Sequence, residues 1–125
     1  MGWETFVINQ TAAAQVLKPG TYGAATTKAV VATTGGTELI ATDATNKLRY
    51  ANISVEAKAK SDGKPITVYI GQGIVPTATL YSYKWLAGHE EKDLELNGQA
   101  LTALAETGQT ININVQTALP VAVTV

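Results

Sequence analysis

Apolar and polar residues alternate with a period of two along most of this chain. Residues 65–71 carry the pattern most clearly, with Ile66, Val68 and Ile70 on one side and Thr67 and Tyr69 on the other. Residues 110–117 repeat it, Ile111, Ile113 and Val115 standing against Asn112, Asn114 and Gln116. Over residues 49–58, Ala51, Ile53, Val55 and Ala57 alternate with Asn52, Ser54 and Glu56. Successive side chains of a strand point to opposite faces, so each run predicts a half-buried strand. The abundance of Thr, Val and Ile agrees, because β-branched side chains are stiff at χ1 and pack well on a pleated surface. Residues 121–125 (Val-Ala-Val-Thr-Val) predict a closing strand.

Turn residues fall between the runs. Asp62-Gly63 predicts a hairpin between the runs over 49–58 and 65–71, since both residues tolerate positive φ. Gly35-Gly36, Asn97-Gly98, Gly108 and Pro19-Gly20 mark further breaks. About eight strands at short spacing predict an all-β, antiparallel β-sandwich of the jelly-roll kind with little or no helix. The helical candidates are residues 11–17, short and Ala-rich, and residues 98–106, which the bracketing glycines favour as a strand. Residues 1–20 read as an N-terminal segment, either a first strand or a partner-contacting arm. Residues 21–125 read as the sandwich domain.

Composition narrows the functional classes. A chain of 125 residues can bury a core without staples, and the absence of cysteine excludes disulfides, thiolate metal sites and a catalytic thiol. Nine Lys and Arg oppose ten Asp and Glu, and only 15% of residues are charged, against about 25% in average soluble domains. A surface this sparse and neutral offers little electrostatic capture of nucleic acid or acidic lipid and favours association. No signal-peptide pattern opens the chain and no apolar run is long enough to span a bilayer, so a soluble protein made in the cytoplasm is expected, with neither nucleic acid nor membrane as partner.

Candidate chemistry is thin. The single histidine, His89, lies in Gly88-His89-Glu90-Glu91-Lys92-Asp93, without the second histidine of a zincin motif, and reads as part of a solvated acidic loop. Ser54, Ser61 and Ser82 have no nucleophile-elbow context, and Gly71-Gln72-Gly73 lacks the third glycine of a dinucleotide loop. The expectation is a protein without catalytic residues, metal or cofactor. Lys58, Lys60 and Lys64 read as a solvated hairpin tip. More is expected of Leu80-Tyr81-Ser82-Tyr83-Lys84-Trp85-Leu86: at period two, Tyr81, Tyr83 and Trp85 share a face. That face is either packed on its own core or presented to another subunit or to a carbohydrate. Trp3, Phe6 and Val7 pose the same choice between a core strand and a contact with a partner.

Residues 48–115 also carry a set of short patterns: Val68-Tyr69-Ile70-Gly71, Pro76-Thr77, Leu86-Ala87-Gly88 with Glu90, Leu94 with Leu96, and Leu101, Ala103, Ala105, Gly108, Thr110, Ile111 and Ile113. In these the stretch resembles small β-domain proteins of bacteriophage virions, the capsid decoration or cement proteins. The resemblance implies a non-enzymatic structural protein of the virion, often a homotrimer, bound between capsomers to the major capsid protein. In that pattern the glycines set hairpin turns and the alternating apolar residues face the core. A carbohydrate- or receptor-binding β-sandwich module of a head fibre or tail is the alternative. Interface candidates are Trp3, Phe6, Val7, Tyr81, Tyr83 and Trp85.

Overall fold

The computed structural model describes residues 16–123, which form ten strands and no helix. In chain order these are β1 (Val16–Pro19), β2 (Thr26–Val31), β3 (Thr37–Ile40), β4 (Leu48–Val55) and β5 (Thr67–Gln72). They continue with β6 (Tyr83–Leu86), β7 (Glu90–Asn97), β8 (Leu101–Ala105), β9 (Thr110–Ala118) and β10 (Pro120–Val123). The architecture is the expected all-β antiparallel sandwich, with ten strands among the described residues rather than about eight.

Eight strands make two four-stranded sheets: sheet I in the order β2-β9-β4-β7 and sheet II in the order β3-β8-β5-β6. β1 and β10 form a separate two-stranded ribbon. The pairing is nested, β5 with β6, β4 with β7, β3 with β8 and β2 with β9, all antiparallel. One long hairpin wrapped so that alternate pairs fall in opposite sheets gives this order. Of the links from β2 to β9, only that between β5 and β6 stays within one sheet.

The alternation seen in the sequence fills the space between the sheets. Val30, Ile53, Leu96, Ile111 and Ile113 of sheet I meet Val68, Ile70, Leu101, Ala103 and Trp85 of sheet II, all buried. Residues 98–106 contain β8, a strand as expected. Three expectations need correction. Val16 and Leu17, placed in a helical candidate, belong to β1, while residues 11–15 lie outside the described residues. The run over 49–58 ends at Val55 and leaves Ala57 exposed, because Gly88 N–H donates to the carbonyls of Val55 and Glu56 as the chain leaves sheet I. The Asp62-Gly63 turn forms, with Lys60 N–H donating to the Lys64 carbonyl at 2.8 Å. It does not close a hairpin of long strands: Ala59 and Pro65 bridge once, and the chain then enters sheet II.

A candidate assembly surface

The aromatic stretch does not form one ladder. Tyr83 and Trp85 lie in β6 opposite Ile70 and Val68, so both point inward, and Trp85 is only 5% exposed. Their rings stack at 5.6 Å, and the Tyr83 hydroxyl donates to Gln72 Oε1. Tyr81 precedes the strand. There the Thr77 hydroxyl accepts the Leu80 N–H, Thr77 N–H donates to the Leu80 carbonyl, and Ser82 Oγ accepts the Gln72 N–H. This turn breaks the period-two phase and lays Tyr81, 40% exposed, against Tyr69 on the outer face of sheet II, with ring centroids 5.4 Å apart. Tyr81 therefore sits outside and Trp85 inside. Trp3, Phe6 and Val7 lie outside the described residues.

The outer faces of the two sheets differ in chemistry. Sheet I presents Asn52, Ser54, Asn112, Asn114 and Gln116. Sheet II presents Tyr69, Leu104 and Leu86, joined by Tyr81, with Lys84, Thr67 and Thr102 between them. The ribbon is more apolar still. Its register puts Val16, Val121 and Val123 on one face together with the exposed Lys18, and Leu17, Ala122, Pro19 and Pro120 on the other. Val16, Leu17 and Val121, with Leu119 beside them, are between 42% and 55% exposed. Gly20 N–H donates to the Leu119 carbonyl and Gly23 N–H to that of Thr117, which joins the ribbon to the β2–β9 pair. A two-stranded ribbon gains little stability alone in water. Among the described residues, both of its faces remain open.

The two edge strands of sheet I are also unlike. β7 carries Glu90, Glu91, Lys92, Asp93 and Glu95, and its register with β4 shifts between the partners of Ala51 and Ile53. Asp93 holds the bulge in the left-handed region at φ 56°, donating its N–H to Asn52 Oδ1 at 3.0 Å. Charge and a bulge are the ordinary protection of an exposed edge. β2 has one charge, Lys28, and pairs with β9 without a shift. The Tyr22 hydroxyl donates to Asp93 Oδ1 at 2.6 Å and ties the segment before β2 across sheet I. Burial first, and then this bond, push the Tyr22 phenol well above the ordinary tyrosine range, so it stays neutral and donating.

His89 lies in the turn between β6 and β7, half-buried between the exposed Gly88 and Glu90. It stacks on Trp85 at 4.7 Å, with Nε2 3.8 Å from Glu91 Oε2. Lys60 pairs with Glu106 at 3.3 Å and Lys58 donates to the Thr110 carbonyl, so two lysines of the tip are tied down. Among the described residues, no three of His, Cys, Asp and Glu gather where a metal ion could be held. The closing strand read at the C-terminus is present as β10 (Pro120–Val123); its pairing with β1 was missed, because Val16-Leu17 has no core-facing phase to read. Comparison with family models, curated proteins and solved structures gives no match.

Proposed function

We propose that this protein works by assembly, as a structural, non-enzymatic virion protein that decorates and cements a phage-type capsid. In this reading it is a homotrimer bound between capsomers to the major capsid protein. The observation that carries the proposal is the β1–β10 ribbon, which exposes Val16, Leu17, Leu119 and Val121 with Lys18 as its single charge and is joined to the open β2 edge. Exposed apolar surface of this kind marks contacts with other proteins. The low charge of the chain supports the same reading, and many weak symmetric contacts would sum to firm attachment. We read the nested strand order as that of a jelly roll, an architecture used by viral capsid and lectin domains among others. A fold of this kind hosts many functions, so the argument rests on the surface.

Light scattering at micromolar concentration should give a species about three times the 13.1 kDa chain mass. A double variant, Val16→Asp with Leu17→Asp, should be monomeric with a nearly unchanged melting midpoint and should not bind capsid shells stripped of their decoration. Binding that survives this variant sinks the proposal.

A second reading, carbohydrate or receptor binding, draws support from the groove of about 340 Å³ on sheet I that Asn52, Ser54, Glu90, Asn114 and Gln116 help to line. Amides and carboxylates there suit sugar hydroxyls, but no aromatic ring lines the groove. Glycan-array binding lost in Asn114→Ala would favour this reading over the first.

A further inference from the structure

Arg49 is the only arginine of the chain and stands in phase with Ala51, Ile53 and Val55, the inward side of β4. It is 8% exposed. Its Nη1 donates to the Ala41 carbonyl at 3.0 Å and its Nη2 to the Gln99 carbonyl at 3.3 Å, so the guanidinium spans from sheet I to the ends of loops of sheet II. Nε is buried and has no acceptor. Among the described residues no carboxylate lies within ion-pair distance of this cation. Asp43 faces it only weakly: that carboxylate is occupied by the N–H groups of Thr45 and Asn46 and the Asn46 side chain. Neutral carbonyls solvate a buried cation in part and leave its charge uncompensated, which is costly in a low-dielectric interior.

Beside Arg49 is a cavity of about 350 Å³, open to solvent, at the base of the β1–β10 ribbon. Thr21, Thr117, Leu119 and Val121 line it, with Arg49 in its wall. The hydroxyls of Thr21 and Thr117 add neutral hydrogen-bonding groups, and the described residues place no acidic side chain in the lining. We propose that this cavity is an anion site, in which the Arg49 guanidinium receives a small oxyanion of the carboxylate or phosphate class. Such an oxyanion accepts from N–H groups that the two carbonyls leave unspent and supplies the missing countercharge. The planar fork of arginine matches both oxyanions, which a lysine ammonium does not. The site is independent of the assembly reading, since the monomer contains all of it.

The test is a melting curve of the full chain with sodium phosphate and sodium acetate titrated separately at constant ionic strength. A specific site gives a saturable rise in the midpoint at millimolar anion, roughly 10 °C when the anion reaches about a hundred times its Kd. General salt stabilisation instead grows without saturation and appears in every variant. Phosphate saturating alone, or acetate alone, tells which oxyanion the site takes. Arg49→Met should abolish the saturable rise. Because a variant at a buried position can fail to fold, Thr21→Asp gives a second measurement: a carboxylate on the cavity wall should raise the midpoint and remove the response to added anion. No saturable response in the wild-type protein, or one that persists in either folded variant, overturns the proposal and leaves Arg49 as a tie between the sheets.

Discussion

Gly71 lies within β5 in extended backbone, and a Cβ added there would collide with the Ile74 carbonyl and come 2.9 Å from Pro76 Cδ. The glycine therefore sets no turn; it makes room for the loop after β5 to fold back over the strand. Gly71→Ala should lower stability by about 1–3 kcal/mol, the usual range for overpacking, as read by urea unfolding. A neutral result would mean that this loop shifts freely. Asp43 tests a different residue-scale effect. The N–H of Asn46 first, and then its side-chain amide, hold the Asp43 carboxyl below its ordinary range. A depressed carboxylate contributes order that is complete above its ordinary pKa and is lost as pH falls through the folded value. Amide exchange at Thr45 and Asn46, corrected for intrinsic rates, should lose protection on acidification through that window. In Asp43→Asn that pH dependence should vanish.

At the scale of elements, β1 decides whether the N-terminal segment belongs to the core. None of residues 16–23 is in the buried cluster, and what ties β1 down is its ladder with β10 and a 3.4 Å bond from the Tyr50 hydroxyl to the Leu17 carbonyl. Among the described residues, deleting residues 1–19 removes few hydrogen bonds and little core burial, so the sandwich should stay folded with a loss of about 1–2 kcal/mol. The same deletion should abolish the proposed trimer. A fall of many degrees in the melting midpoint would show that the segment supports the core. The edges follow a similar logic: the charged, bulged β7 resists strand addition, whereas β2, continuous with the ribbon, does not.

For the whole molecule, the contrast is between an amide-rich outer face on sheet I and one on sheet II that mixes Tyr69, Tyr81, Leu86 and Leu104 with Lys84 and threonines, with the ribbon joined to the β2–β9 pair. The surface that this geometry leaves open is apolar more than charged. Association through it should change little between low and high salt, because screening acts on charges and not on apolar burial. A trimer that dissociates with added salt in light scattering would point instead to contacts through the acidic β7 edge.

Much of the sandwich was legible in the residues themselves. The period-two runs around Ile53, Val68 and Ile113 determined which faces are buried, since a one-residue slip would turn every side chain to the wrong side. Arg49 stands in the inward phase of β4, but only the folded structure brings the Ala41 and Gln99 carbonyls to its guanidinium and a cavity beside it. Turn residues determined where the chain bends, as at Asp62-Gly63, but not which sheet it enters next. That choice depends on which distant strand offers a free ladder edge and a matching apolar face, a non-local condition with no trace in local sequence. Tyr81 shows the same division. Alternation placed it with Tyr83 and Trp85, and the hydrogen bonds of Thr77 and Ser82, which exist only once the loop has closed against β5, put it on the opposite face.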